Sequence, residues 1–289
     1  MSADRWPVSP MVSFDTLWLQ VAGTVCNLTC THCFIACSPT NHAHEMMTLA
    51  SLLPVLREAE ELGVRDYYLT GGEPFLNPEI LAILETILKQ GPVSVLTNGV
   101  LIRPSTAARL RDLADGSPYS LDLRVSLDGF EAPENDAVRG AGTFERILGG
   151  LRCLAEAGLT PIITVTEACD GAGTARGRRR LLDLLAGIGL PHPRLKIMPL
   201  LRMGAEPART RGYEAHETTR GRDLPVEAAG GLACATGRMV TSKGVFVCPI
   251  LIDEPQARMG TALSEALRPF TLRHAGCYTC LEQGLSCLT

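Results

Sequence analysis

Nine of the chain's eleven cysteines fall in two stretches near its ends. Cys26, Cys30, Cys33 and Cys37 crowd the first, and Cys234, Cys248, Cys277, Cys280 and Cys287 occupy the second. Only Cys153 and Cys169 lie between them. An odd number of thiols in a chain of 289 residues is a poor disulfide scaffold. It fits metal or redox chemistry in a reducing cytosol, so a cytoplasmic location is expected. Hydrophobic residues make up 46% and charged residues 20%, enough apolar side chains for a folded core. A net charge of -4 gives no basic footprint for nucleic acid. No apolar run reaches the roughly 18 residues of a membrane span, and the stretch from Met1 to Val12 lacks the apolar centre of a signal peptide.

The thiol-poor middle alternates short apolar runs with longer amphipathic ones. Strands are expected at Leu17–Ala22, Asp66–Thr70, Val93–Thr97, Leu121–Leu127, Ile162–Thr166 and Leu195–Pro199. Helices are expected at Thr48–Leu62, Pro78–Lys89, Ser105–Leu113, Phe144–Ala157 and Ala175–Leu184. This is an α/β pattern with a parallel sheet. Six strands are too few for an eight-fold barrel; they suit a partial barrel or a doubly wound sheet, with chemistry at the carboxyl ends of the strands. From about 202 to 230 no period is visible, which reads as a linker or bridging segment. Gly237 to Val247 reads as a hairpin turning near Ser242-Lys243-Gly244, and a short helix is expected at Leu263–Leu267.

The first cysteines form a C-x3-C-x2-C run, Cys26, Cys30 and Cys33, directly after the first strand. Three thiolates from one tight loop suit an iron–sulfur cluster with one iron open; a structural zinc would want a fourth ligand, such as Cys37 or His32. The run resembles that of the radical SAM enzymes, whose open iron is chelated by S-adenosylmethionine. The likeness continues in Gly71-Gly72-Glu73-Pro74 after the second strand, Thr97-Asn98-Gly99 after the third, and Ser126-Leu127-Asp128-Gly129 followed by Asn135, Asp136, Arg139, Gly140 and Phe144. With it, a partial (β/α)6 TIM-like barrel over residues 1–200 becomes the expected fold. The resemblance implies a SAM site formed by His32, Gly71, Gly72, Glu73, Pro74, Asn98, Ser126, Asp128 and Arg139. Within it, the glycine pair lets backbone carbonyls approach the methionyl ammonium and Glu73 adds charge. Ser126 lies near the methionyl carboxylate or ribose, Arg139 partners the carboxylate, Asn98 meets the ribose and His32 stacks on adenine.

In the tail, Cys234 and Cys248 flank the hairpin, and a C-x2-C pair, Cys277 and Cys280, precedes Cys287. Spacing alone does not separate zinc from iron–sulfur here. The order resembles the SPASM/Twitch extension of radical SAM enzymes and, with too few cysteines for two clusters, its shorter Twitch form. An auxiliary [4Fe–4S] cluster is therefore implied on Cys234, Cys248, Cys277 and Cys280, in a small cysteine-rich extension over 233–289, with 201–232 bridging to the barrel. Cys287 either replaces one of these ligands or is a free tail thiol. Four protein ligands would make an electron acceptor; three would leave an iron for substrate.

The implied activity is reductive cleavage of S-adenosylmethionine to a 5′-deoxyadenosyl radical that takes hydrogen from a substrate carbon. An external one-electron donor such as flavodoxin or ferredoxin would feed the first cluster. The expected outcome is oxidation or epimerisation of a small-molecule natural product such as a sugar or aminocyclitol; Cys169, just past the fifth strand, is the candidate hydrogen donor for epimerisation. The alternatives are modification of a ribosomal peptide and, from another class, electron transfer without SAM chemistry.

Overall fold

The computed structural model describes residues 5–284, with only the backbone at 226 and 227, so Cys287 lies outside the described residues. In chain order the elements are β1 (Val8–Ser9), β2 (Thr16–Leu19), α1 (Leu49–Glu61), β3 (Asp66–Leu69), α2 (Ile80–Ile87), β4 (Val93–Thr97), α3 (Pro104–Asp115), β5 (Leu121–Ser126) and α4 (Ala132–Arg139). Then come α5 (Thr143–Glu156), β6 (Ile162–Thr166), α6 (Ala175–Gly187), β7 (Arg194–Met198), α7 (Glu206–Arg209), α8 (Val226–Gly230) and α9 (Ala233–Thr236). The tail adds β8 (Gly237–Thr241), β9 (Gly244–Phe246), β10 (Arg258–Gly260), β11 (Phe270–Thr271) and α10 (Gly276–Gln283).

The strands from β2 to β7 lie side by side in sequence order, all parallel. A doubly wound sheet reverses its order at a switch point. This one does not, so the structure decides for the partial barrel. Apolar residues at helical spacing put the helices on the sheet: Ile80, Ile83, Leu84 and Ile87 on α2, and Ile147, Leu148, Leu151 and Leu154 on α5, are all buried. Each such side chain contributes roughly 2 kcal/mol by leaving water. Thr48 caps α1, its hydroxyl accepting from the Ser51 amide at 3.1 Å. Trp18 and Tyr68, paired on β2 and β3, stack with ring centres 4.4 Å apart, and the Arg124 guanidinium lies 4.8 Å from the Tyr68 ring.

Three features depart from the sequence pattern. β2 stops at Leu19 rather than running to Ala22, because Gln20 to Gly23 closes a turn: the Gly23 amide donates to the Gln20 carbonyl at 3.0 Å, with Gly23 at φ +56°. Second, Ala132–Arg139 is a helix, not a loop; Pro133 sits in its first turn, where a missing amide costs nothing. Third, Gly276–Gln283 is a helix, and it carries Cys277 and Cys280.

The tail hairpin forms as expected, and it extends the barrel's own sheet. β8 pairs with β2 in parallel, from Thr16 opposite Gly237 to Leu19 opposite Val240, and β9 and β10 follow antiparallel. The segment without a period crosses the molecule. The Ala205 amide donates to the Cys33 carbonyl at 2.9 Å, and the Tyr213 and Thr279 hydroxyls lie 2.6 Å apart. Arg222 pairs with Glu282 and covers the Tyr278 ring. No helix among the described residues is long and apolar enough to cross a membrane.

Candidate active site

The loop after β2 turns its thiols into one cleft. Cys26, Cys30, Cys33 and Cys37 line it, together with His32, Gly71, Gly72, Asn98, Ser126 and Arg139, and it opens to solvent. The loop is held by backbone bonds: the Cys26 amide donates to the Ser38 carbonyl at 3.1 Å, and the Ala36 amide to the Cys33 carbonyl at 3.0 Å. Burial pushes the Cys26 thiol up to about 12. Burial also raises Cys30, against the pull of Arg139. Hydrogen bonding from Cys37 lowers Cys33 to about 6. Three thiols of one loop facing one cleft make a donor set that fits an iron–sulfur cluster.

The glycine pair serves the cysteine loop. A Cβ on Gly72 would stand 2.0 Å from the Val25 carbonyl oxygen and 2.8 Å from the Cys26 nitrogen. Gly71 has φ +134°, and its Cβ would stand 2.9 Å from the Ala22 nitrogen. The turn is stitched on by the Gly72 amide to the Gly23 carbonyl (2.9 Å) and the Glu73 amide to the Val25 carbonyl (3.1 Å).

Glu73 and Pro74 stand behind the cleft wall and do not line it. The buried Glu73 carboxylate accepts from the Thr97 hydroxyl (2.7 Å), the Asn98 amide (2.7 Å) and the Phe75 amide (3.1 Å). Burial raises its pKa to about 6. It braces the end of β4, so the expectation of a carboxylate facing a methionyl ammonium is corrected here. Pro74 opens a buried 3-10 turn, Pro74–Leu76. The Asn98 side chain donates to Asn27 Oδ1 at 2.8 Å and lies 3.7 Å from Cys26 Sγ, so it is committed to the cysteine loop.

Asp128 is also behind the wall, and it holds two residues that are not. Its Oδ2 is 2.5 Å from Arg139 Nη2 and 2.9 Å from His32 Nε2. Its Oδ1 accepts from the Thr166 amide and hydroxyl, both at 2.7 Å. Burial alone would raise this carboxyl, but Arg139, His32 and Thr166 outweigh it and hold it well below the usual range. Arg139 Nε is buried with no partner, while Arg139 Nη1 lies 4.0 Å from Cys30 Sγ. A buried donor without an acceptor is costly, and an anionic group in the cleft beside Cys30 would supply one. The residues present therefore fit a bound carboxylate next to the cluster.

Cys169 does not join them. Its thiol is buried in the apolar core within a turn after β6, where burial pushes it up to about 12. It is absent from the cleft lining, so its expected role as hydrogen donor loses its geometric basis. Sequence reading missed the cleft's apolar wall, Leu28, Phe34, Ile35 and Met198 to Leu201. The signal available was position: Met198–Leu201 continue the carboxyl end of β7, where barrel chemistry collects.

A second cavity holds the tail cysteines. Cys234, Cys248, Cys277 and Cys280 line one small hollow, walled otherwise by apolar residues such as Val247, Leu251 and Phe270. Four thiols on one apolar hollow are a donor set that suits a cluster or a zinc ion. Burial raises Cys234 and pushes Cys277 up to about 12. Cys234 precedes β8 and Cys248 follows β9, so the hairpin brings them level with the amino end of β2, whereas the Cys26 loop leaves its carboxyl end. A four-residue strand rises roughly 13 Å, which sets the scale of the separation.

The sequence matches the Radical SAM superfamily over residues 21–169. It is 36% identical over 134 residues to mycofactocin maturase MftC of Mycobacterium ulcerans, covering 46% of this chain and 34% of that protein. It is 30% identical over 145 residues to a probable GTP 3′,8-cyclase of Archaeoglobus fulgidus, covering 50% and 46%. The chain thus spans a third to a half of the curated relatives it matches. Its fold resembles the crystal structures of Streptococcus suis SuiB bound to S-adenosylmethionine (TM-score 0.64) and to precursor peptide SuiA (TM-score 0.65), each at 16% identity and covering 86% of this chain and 63% of that one.

Proposed function

The chain belongs to the radical SAM superfamily, and on that premise we propose that it is a peptide-modifying radical SAM enzyme with one auxiliary iron–sulfur cluster. When bound, the first cluster and S-adenosylmethionine supply a 5′-deoxyadenosyl radical that takes a hydrogen atom from a substrate carbon. The chain's residues do the rest. Cys26, Cys30 and Cys33 hold three irons. Arg139, aimed by Asp128, offers a buried donor to the methionyl carboxylate, with His32 held beside it by the same carboxylate. Gly71 and Gly72 let the turn after β3 close on the loop, and Ser126 and Asn98 line the space for the nucleoside. Cys234, Cys248, Cys277 and Cys280 hold the auxiliary cluster, and the segment 201–232 bridges the two sites.

The observation that supports a peptide is the open side of the barrel. β7 is the last strand of its sheet, and no described strand pairs with its outer edge. It runs into the cleft through Met198, Pro199, Leu200 and Leu201. An extended peptide can use such an edge through main-chain hydrogen bonds. The names of the maturase and of the SuiB complex point the same way. The cyclase likeness supports a second reading, a nucleotide substrate. The small sugar or aminocyclitol expected from the sequence has neither observation behind it. Nor does epimerisation, now that Cys169 lies in the core.

The test is anaerobic reconstitution with iron, sulfide, dithionite and S-adenosylmethionine. A peptide encoded beside this chain's own gene should change mass with 5′-deoxyadenosine formed in step, and Cys30→Ala should abolish both. Turnover coupled to GTP, a sugar or an aminocyclitol, with peptides inert, would overturn the peptide reading. Absence of 5′-deoxyadenosine under every condition would overturn the enzyme.

A further inference from the structure

Arg238, the second residue of β8, is among the largest fully buried side chains in the protein. Every hydrogen bond it makes goes to a backbone carbonyl: Nε to Ala266 (2.8 Å), Nη1 to Cys234 (2.7 Å) and Gly237 (2.6 Å), and Nη2 to Arg268 (2.9 Å). Among the described residues no carboxylate balances it. A buried cation with dipoles but no counter-ion is among the least favourable groups to place in a core.

The hairpin register shows where the missing charge belongs. Met239 pairs with Phe246 and Val240 with Val245. Arg238 and Val247 are the residues that flank the last pair of that register, one on each strand's continuation. Val247 lines the four-cysteine cavity. The guanidinium thus flanks that cavity and holds the carbonyl of Cys234, one of its four thiol residues. A cluster held by four thiolates is a net anion, one charge more negative after it accepts an electron.

We propose that Arg238 is the built-in counter-charge of the group held by Cys234, Cys248, Cys277 and Cys280, and that it eases the arrival of an electron there. This rests on the auxiliary-cluster reading. Arg238 touches neither substrate nor the irons; it is a positioning and tuning residue. A positive charge behind the cysteines stabilises the reduced cluster more than the oxidised one, because the reduced form carries more negative charge. The low dielectric that makes the cation costly alone strengthens that difference.

The test isolates the auxiliary group in the full chain by replacing Cys26, Cys30 and Cys33 with Ala. This parent is reconstituted with iron and sulfide and titrated with dithionite, the paramagnetic signal being followed against potential. Arg238→Gln should leave iron content unchanged and move the midpoint potential to a more negative value. Arg238→Lys, which keeps the charge and loses the fork, should stay near the parent. A Gln variant that loads iron and titrates at the parent potential overturns the inference; Arg238 is then only a clamp on four carbonyls. So does a Lys variant displaced as far as the Gln variant. Should the Gln chain not fold, the Lys variant decides alone: parent potential supports a role for charge, and a displaced potential overturns it. A parent that binds no iron refutes the auxiliary cluster itself, an outcome distinct from an unmoved potential.

Discussion

Asp128 gathers the charges of the first site while staying out of the cleft. Replacing it with Asn leaves Arg139 buried without its ion and should cost about 3–5 kcal/mol in urea unfolding. Its folded pKa lies below the unfolded value of 3.8. The ion pair's contribution is therefore complete above about pH 5 and is lost as pH falls through the unfolded value towards the lower folded one. The stability gap between wild type and Asp128→Asn should narrow from roughly pH 5 to pH 2; a gap that stays constant over that range refutes the assignment. Gly72 is constrained just as tightly. A methyl there meets the Val25 carbonyl oxygen at 2.0 Å, a contact backbone cannot yield. Gly72→Ala should strip iron from the first cluster while the tail keeps its own, read as iron per chain and as lost 5′-deoxyadenosine. At this scale the sequence named residues that the fold brings to one cleft, but not the partners that each of them has there. Glu73 looks like a ligand because a lone acid after two glycines carries no sign of the three donors that consume it. Two of those donors, the Thr97 hydroxyl and the Asn98 amide, come from the end of β4, and only folding brings them there.

Among the elements, legibility followed length and periodicity. β4 and β6 have the bounds the apolar runs predict, and the five barrel helices lie within a few residues of expectation, because buried faces repeat over several turns. α4 was invisible: eight residues containing Pro133, Glu134, Asn135 and Asp136 read as loop, yet they end on Arg139. α10 was invisible too, being short and weakly amphipathic, but it explains the C-x2-C spacing. Cys277 and Cys280 are three apart on a helix and so share a face. Inserting one Ala after Thr279 should rotate Cys280 by roughly 100° and abolish iron binding at the tail site with every thiol still present. Iron content unchanged by that insertion would show that the helix does not set the site.

For the whole molecule, the sequence suggested a barrel with an appendage, and the structure has one sheet running through both. The tail is tied back a second time at the first site. His44, buried beside the cysteine loop, has Nε2 3.2 Å from Asp253 Oδ1, its ring meets Phe246 edge-on at 6.0 Å, and the Glu45 amide donates to the Ser242 hydroxyl at 2.8 Å. His44→Ala should cost about 1–3 kcal/mol, and roughly 2–4 °C in Tm for each kcal/mol. Amide exchange should accelerate in residues 242–246 as well as in the loop; acceleration confined to the loop would mean that the two ends are not coupled. No periodicity announces such ties, because they join residues some two hundred positions apart.

The amide of Ala205 closes on the carbonyl of Cys33, and Gly204 packs against the same carbonyl. The cover of the cysteine loop is thus made some 170 residues after the loop itself. At roughly 5–20 residues per second, a ribosome leaves those thiols uncovered for on the order of ten to thirty seconds. During every round of synthesis the chain has an interval in which oxygen and stray metals can reach the loop before its own fold can shut them out.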